Sequence, residues 1–156
     1  YYLTGREWPY KDVPRKILAE KFISDSKGNL VDYKFFCFNG AIDCVMLCTD
    51  RESGDTKFYF FDKHWNLCRY NIRGKNAPKG FTLPKPEHLE EMFSIAKELS
   101  QEIPFVRIDL YNVDGIIYFG EMTFFPQSGF DKNLLRETDR YFGDLICLEG
   151  MRKWRQ

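Results

Sequence analysis

Two acidic residues and an arginine occupy two neighbouring strand-like stretches in the second half of the chain. Arg107 and Asp109 are two positions apart in the first stretch, and Glu121 and Thr123 are two positions apart in the second. Side chains two apart in a β-strand point to the same face of a sheet, so each pair shares a face. A hairpin closed at Asp114-Gly115 places the two strands side by side. If the register puts both pairs on the same face, all four polar groups converge.

Such a convergence is typical of a site for a divalent cation and phosphate. Two carboxylates a few ångströms apart repel each other strongly unless a cation lies between them. Mg²⁺ prefers hard oxygen ligands, and it commonly takes one or two carboxylates together with substrate phosphates and water. The neighbouring guanidinium offers a planar pair of donors to a phosphate or an oxyanion. The alternative is a polar strand face exposed to water, because the sequence alone does not fix the register.

Hydrophobic periodicity predicts the elements that must position this site. Antiparallel strands are expected at residues 16–23, 31–38, 41–49, 56–61, 66–70, 105–112 and 116–123. A helix is predicted by the helical spacing of five apolar residues, Leu89, Met92, Phe93, Ala96 and Leu99. A second helix is expected at 134–148. The predicted fold class is therefore α+β, an antiparallel β-sheet with two packed helices.

A long basic loop is predicted between the last strand of the first group and the first helix. It covers residues 71–86 and carries glycine and proline as well as several cations. Loops of this length inside a compact domain are often functional. Its segment 73–85 could close over phosphate or an acidic substrate, and a loop that is simply solvated is the alternative.

Composition narrows the class of protein. The chain has 156 residues, which suits one domain, and its 23 Lys and Arg balance 23 Asp and Glu, so nucleic acid is not an indicated partner. No apolar run reaches the length of a membrane span, and the first residues lack the pattern of a signal peptide. The five cysteines are odd in number and include no Cys-x-x-Cys pair, which favours buried free thiols. Free thiols favour a reducing, cytoplasmic location.

The R-x-D strand, the short turn and the E-x-T strand resemble the C-terminal metal hairpin of ATP-grasp ligases. Further stretches resemble the TupA-like ATP-grasp family of bacterial surface-polysaccharide loci. These stretches are EWPY at 7–10, ILAEKF at 17–22, DYKFFCFNG at 32–40, FVRIDLYN at 105–112, YFGEMTFF at 118–125 and FGDL at 142–145. Together, and in this order, they span nearly the whole chain.

This resemblance implies roles for the hairpin residues. Asp109 and Glu121 match the carboxylates that hold Mg²⁺, and Glu121 is expected to bridge two ions. Thr123 stands where many members have Asn, and a hydroxyl is a poorer Mg²⁺ ligand than an amide carbonyl. Arg107 matches the catalytic arginine that steadies the transferred phosphate or the tetrahedral intermediate.

The resemblance also implies where ATP binds. Residues 17–23 resemble the strand that joins the two lobes and lines the adenine pocket, mainly through backbone groups. The residues assigned there are Glu20, Lys21, Phe22 and Ile23. Asp32 takes the place of the acid that accepts hydrogen bonds from the ribose hydroxyls. Lys34 and Arg51 are candidates for phosphate contact, and exposed cations of a strand and a turn are the alternative for both.

A division of the chain follows from the same resemblance. Residues 1–16 are expected to be a lead-in from a small lobe, and residues 17–150 an ATP-grasp C-terminal lobe. The small lobe ordinarily carries a phosphate-binding lysine and a glycine-rich flap, and neither can be located in this sequence. We therefore expect the N-terminal part of such an enzyme to be missing, and an inactive isolated chain is one consequence.

The implied function is ATP- and Mg²⁺-dependent ligation of a carboxylate to an amine. The expected partners are a nucleotide and an acidic small-molecule or glycan acceptor, in bacterial cell-surface polysaccharide or teichuronopeptide synthesis. Two alternatives from other classes stay open. One is a non-catalytic ATP-grasp remnant that serves as a binding module. The other is a glycosyltransferase of a polysaccharide locus, although the sequence contains no D-x-D triplet.

Overall fold

The computed structural model describes residues 2–26, 28, 30–49 and 54–149. Within these residues, six strands form one antiparallel sheet. The strands are β1 (Asp32–Phe38), β2 (Ala41–Thr49), β3 (Lys57–Phe61), β4 (Leu67–Cys68), β5 (Val106–Val113) and β6 (Ile116–Thr123). Their spatial order is β4-β3-β2-β1-β5-β6. The predicted α+β class with an antiparallel sheet is therefore confirmed.

Four α-helices accompany the sheet in the described part of the chain. They are α1 (Tyr2–Gly5), α2 (Ile72–Asn76), α3 (Leu89–Leu99) and α4 (Arg136–Leu145). The two long ones, α3 and α4, are the helices that the periodicity predicted. Short 3₁₀ turns occur at Trp8–Tyr10 and Pro126–Gly129. None of the helices within the described residues combines the length and the apolar character that crossing a lipid bilayer requires.

Helices α3 and α4 cover opposite faces of the sheet. Met92 and Ala96 of α3 belong to a core with Phe35 of β1, whereas Phe142 of α4 belongs to a core with Phe36. Because Phe35 and Phe36 are consecutive in a strand, they point to opposite faces. All seven residues of β1 are consequently buried, including two charged ones.

The strand predicted at residues 16–23 is wrong. Residues 13–25 have no regular secondary structure, and the side chains of Ile17, Leu18 and Phe22 are 99%, 80% and 81% exposed. A short apolar stretch forms a strand only when a neighbouring strand and a core are present to receive it. In this structure, no strand within the described residues pairs with this stretch.

The loop predicted at residues 71–86 contains helix α2, so that prediction is wrong in part. Asn71 caps the helix, its side-chain oxygen accepting a hydrogen bond from the backbone N–H of Gly74 at 2.7 Å. Farther along, Phe81 packs against Tyr59 with ring centroids 4.6 Å apart. Phe81 and Leu83 both join the core on the α3 face of the sheet.

The cysteines are free thiols, as predicted. Cys37, Cys44 and Cys48 are buried in the sheet, and Cys68 is partly buried. Burial raises the pKa of the Cys37 thiol to about 11. Cys147 is exposed, so the expectation of burial fails for that residue.

A β-bulge at Gly120 sets the alternation of the edge strand β6. Asp109 pairs with Glu121, but the next residue of β5, Leu110, pairs with Phe119, which leaves Gly120 as the extra residue. Ile117 and Met122 are five positions apart, yet both pack on the α3-side core. Only an extra residue between them allows this, because side chains alternate in a regular strand. The bulge therefore buries both apolar residues while Glu121 points to the opposite face.

Replacing Gly120 by valine is expected to destabilise the protein by roughly 1–3 kcal/mol. A Cβ at this position would lie 3.0 Å from both the Asp109 carbonyl oxygen and the Tyr111 ring. Urea unfolding followed by circular dichroism measures the change. Gly143→Ala is the control, because a Cβ there meets nothing within 4 Å. In helix α4 it should stabilise by about 0.5–1 kcal/mol. An unchanged midpoint for Gly120→Val would contradict the tight bulge.

Candidate functional site

The two strands of the β5–β6 hairpin carry the polar residues singled out in the sequence. In the observed register, Arg107 lies opposite Thr123 and Asp109 lies opposite Glu121. Directly opposed residues of antiparallel strands present their side chains on the same face. The structure therefore brings all four side chains together, on the face of the sheet that also carries α4.

Arg107 is the hub of this cluster. Its Nε and Nη2 atoms donate to the two carboxylate oxygens of Asp109, each at 2.7 Å. The same Nη2 donates to Glu121 Oε1 at 3.1 Å and to Thr123 Oγ1 at 3.0 Å. The Thr123 hydroxyl in turn donates to Glu121 Oε1 at 3.1 Å. One guanidinium thus links both acids and the hydroxyl, and its planar fork is the reason that arginine suits this position.

Strand β1 adds a second cation and a third acid. Lys34 lies opposite Asp109 in the β1–β5 register, and its ammonium group donates to Asp109 Oδ2. Lys34 Nζ also lies 2.5 Å from Asp32 Oδ2. Lys34 is therefore held between two carboxylates beneath the hairpin. The cluster now comprises two cations and three acids, with a formal charge of −1 when all are ionised.

Burial divides the acids into two kinds. Asp109 is 1% exposed, and Asp32 is 2% exposed, whereas the side chain of Glu121 is 65% exposed. Burial raises the pKa of the Asp109 carboxyl, and the hydrogen bonds and charges of Arg107 and Lys34 oppose that rise. Burial lowers the pKa of Arg107, but its bonds to Asp109 outweigh this effect and hold the pKa above the ordinary value. The buried acid is an internal anchor, and Glu121 is the acid that a ligand from solvent meets first.

The donor set fits Mg²⁺. Asp109, Glu121 and Thr123 supply two carboxylates and a hydroxyl, all of them hard oxygen donors. Within the described ranges, no group of three or more His, Cys, Asp or Glu residues is placed to hold a metal ion. Of the acids assigned to the metal, Asp109 and Glu121, both are carboxylates, and Mg²⁺ commonly takes one or two carboxylates when phosphate and water complete its shell.

The residues predicted to contact adenine lie on the exposed segment before β1. Two contacts anchor this segment at opposite ends of β6. The Phe124 N–H donates to the Tyr10 hydroxyl oxygen at 2.9 Å, and Ser26 Oγ donates to Asp114 Oδ1 at 3.4 Å. Between these anchors lie the four residues predicted to contact adenine, Glu20, Lys21, Phe22 and Ile23, of which Ile23 is half-buried and the others are exposed. No contact of their side chains with the acidic cluster is observed.

The other phosphate candidates fall elsewhere. Arg51 lies outside the described residues. Arg73, in the segment 73–85, pairs with Asp55 at 2.5 Å. The middle of that segment packs on the α3 face, which is the reverse side of the sheet from Arg107. The structure therefore does not bring this segment over the acidic cluster.

Tyr10 is a residue near the site that the sequence interpretation missed. Burial raises the pKa of its hydroxyl, and the charges of Glu7 and Glu121 act in the same direction. The ring packs edge-on against Phe124, the residue after Thr123, with centroids 6.1 Å apart. Its position in the EWPY stretch was the available signal, but its contact with a residue more than a hundred positions away was not predictable.

Comparison with protein families gives one match. A family model described as TupA-like ATPgrasp matches residues 1–147. Searches among curated proteins and among solved structures found no significant match.

Replacing Lys34 by methionine is expected to destabilise the protein by roughly 3–5 kcal/mol near neutral pH, because it leaves buried carboxylates without this cation. The loss of the ammonium raises the folded-state pKa of Asp109 further. A carboxyl with a raised folded pKa contributes stability at low pH that is lost as the pH rises. The deficit relative to wild type should therefore be small near about pH 4 and grow towards about pH 7.

Chemical unfolding across this pH range provides the measurement. Lys79→Met is the control, since Lys79 is exposed on a turn. Its effect should stay within about 0.5 kcal/mol at every pH. A deficit of Lys34→Met that does not depend on pH would show that lost packing, rather than lost charge pairing, is the cause.

Proposed function

The chain belongs to the TupA-like ATP-grasp family, and from this premise we propose that it is an ATP- and Mg²⁺-dependent ligase that joins a carboxylate to an amine. The observation that supports the proposal most directly is the contact of one guanidinium group with Asp109, Glu121 and Thr123 at once. Catalysis of phosphoryl transfer consists mostly of positioning the substrates and neutralising their charge. Two carboxylates that can hold a metal ion and an arginine that can bind phosphate are suited to both tasks.

The proposed reaction has two steps. A substrate carboxylate oxygen attacks the γ-phosphorus of ATP, and ADP leaves with the electrons of the broken P–O bond. An amine then attacks the carbonyl carbon of the acyl-phosphate, phosphate leaves, and the amine nitrogen loses a proton. The products are an amide, ADP and phosphate.

Each residue of the cluster has a proposed part. Asp109 and Glu121 hold Mg²⁺, with Thr123 as a further oxygen, and bound Mg²⁺ supplies positive charge that offsets the β- and γ-phosphates. Arg107 steadies the transferred phosphoryl group and the oxyanion of the second step. The hydrogen bonds of Arg107 to both acids support this part of the proposal, because they keep the guanidinium beside the oxygens assigned to Mg²⁺.

The remaining assignments extend this proposal to the nucleotide. Asp32 is proposed to accept from the ribose hydroxyls, and Lys34 to contribute charge for phosphate from beneath Asp109. Backbone groups of 20–23 are proposed to contact adenine. Within the described chain, no strand pairs with this segment, and Phe22 is largely exposed. A bound nucleotide could therefore reach its backbone groups.

We further propose an acidic small molecule or glycan as the acceptor, in bacterial cell-surface polysaccharide or teichuronopeptide synthesis. This pathway is proposed from the resemblance of the sequence to TupA-like ATP-grasp proteins of bacterial surface-polysaccharide loci. The free thiols favour a reducing compartment, and we propose the cytoplasm on that ground.

Glu121→Gln is expected to weaken Mg²⁺-dependent ATP binding by about tenfold or more, because it removes one of two acidic ligands. The side chain is largely exposed, so the fold should be unaffected. Asp109→Asn is less suitable, since it also breaks the buried pair with Arg107. Calorimetric titration of ATP with Mg²⁺ and with EDTA measures the effect.

Glu90→Gln serves as the matched control, because Glu90 is exposed on α3 on the reverse side of the sheet. Equal ATP affinity for Glu121→Gln and wild type would refute the metal assignment. Binding of ATP and Mg²⁺ without release of ADP in the presence of carboxylate substrates would instead favour the non-catalytic binding module.

A further inference from the structure

A cavity of about 750 Å³ lies on the α4 face of the sheet, beside the acidic cluster. This volume is in the range of small-molecule sites. Phe36, the cross-strand neighbour of Arg107, forms part of its floor, and Phe124, which follows Thr123, forms part of its wall. The cavity and the proposed reaction centre therefore share a boundary but no charged group.

The walls of the cavity are apolar. Phe38 and Phe105 extend the floor, and their rings pack with centroids 5.1 Å apart. Trp8 and Phe125 stand at the opening and are 63% and 40% exposed. Aromatic surface that is left partly open in a cavity of this size is suited to the apolar body of a ligand.

Helix α4 supplies one side of the cavity through a single stripe. Asp139, Phe142 and Gly143 have the spacing i, i+3 and i+4, so they lie on one face of the helix, and Ile146 joins the lining just after the helix ends. Gly143 leaves open space in this stripe, because a Cβ built there meets nothing within 4 Å.

The charges of the lining all have the same sign. Three carboxylates contribute to it, from Glu102, Asp131 and Asp139, and neither Lys nor Arg does. Within the described part of the chain, none of the three forms an ion pair. Phosphate and an acidic acceptor are disfavoured by this charge, whereas an ammonium group is attracted by it.

We propose that this cavity binds the amine co-substrate, and that this co-substrate is a primary amine with an apolar body. The inference rests on the proposed ligase function, in which an amine must reach a carbonyl beside Arg107. The apolar body occupies the aromatic part of the cavity, and the ammonium group is attracted by the acidic residues of its lining, Glu102, Asp131 and Asp139. The nucleotide and the acidic acceptor bind outside the cavity, near the cations Arg107 and Lys34.

Binding of 2-phenylethylamine without nucleotide tests the proposal directly. Two compounds of similar size serve as control ligands. 2-Phenylethanol carries a neutral hydroxyl group in place of the ammonium, and 3-phenylpropanoate carries an anionic carboxylate. The amine should bind about tenfold more tightly than the alcohol, because a charge-assisted hydrogen bond is lost in the latter. The anion should bind more weakly still. Titrations followed by NMR chemical shifts detect weak affinities of this kind.

Two variants locate the binding. Gly143→Leu fills the open stripe, so it should abolish amine binding while the helix is retained. Asp139→Asn should reduce the preference for the amine over the alcohol. Glu137→Gln is the matched control, because Glu137 lies in the same first turn of α4 but does not line the cavity. Equal affinity for amine and alcohol, or unchanged amine binding by Gly143→Leu, would overturn the proposal.

The same variants separate this inference from the ligase proposal. Gly143→Leu should retain wild-type affinity for ATP with Mg²⁺, since the cavity and the metal-binding oxygens share no residue. If the wild-type chain binds the amine but does not bind ATP, the cavity assignment is supported and the ligase assignment is refuted. ATP binding without any preference for the amine would do the reverse.

Discussion

The bidentate ion pair between Arg107 and Asp109 is the interaction on which the site depends. The side chains of Arg107 and Asp109 are only 13% and 1% exposed, so each charge has lost most of its water. Such a pair is tolerated only when its geometry is good and the remaining donors and acceptors are used. Lys34 donates to the buried acid from one side, and on the other side Glu121 and Thr123 accept hydrogen bonds from Nη2 of Arg107.

The position of β5 explains why these groups can meet. It lies between β1 and β6, so Asp109 has a charged neighbour on each side, in Lys34 and Glu121. Charged side chains on the β1 side of β5 are buried, because β1 is covered on both faces. Those on the side of the edge strand β6 are exposed. Solvent exposure therefore rises from the buried Asp109 to the exposed Glu121. That gradient is suited to a site that must keep its geometry while it exchanges a ligand with solvent.

The two faces of the sheet serve different purposes. The α3 face is filled by apolar side chains and also takes the segment around Phe81, so it contributes stability. The α4 face is only partly filled, because α4 packs over Phe36 and Phe60 and leaves the hairpin acids and the aromatic cavity beside it. Polar chemistry and an apolar binding space are thereby placed next to each other on one surface.

Local signals in the sequence determined the elements whose ends carry strong turns. The strands 41–49 and 116–123 were predicted with their observed limits, since Asn39-Gly40 and Asp114-Gly115 take the positive φ values that a tight hairpin requires. The stretch 16–23 has the same apolar character, but it forms no strand, because strand formation depends on a partner that no local pattern specifies. The apolar spacing of α3 was sufficient for its prediction, since a helix makes its backbone hydrogen bonds within itself.

For the site, the sequence determined which residues share a strand face, and with it the pairs Arg107–Asp109 and Glu121–Thr123. Only the tertiary structure decided that both pairs lie on one face, that Lys34 enters from β1, and that the segment 73–85 packs on the other side. For the first of these, the bulge at Gly120 is the physical reason. One unpaired residue reverses the alternation of β6, and its position is set by the pairing with β5, where a side chain on residue 120 would meet the Asp109 carbonyl oxygen and the Tyr111 ring.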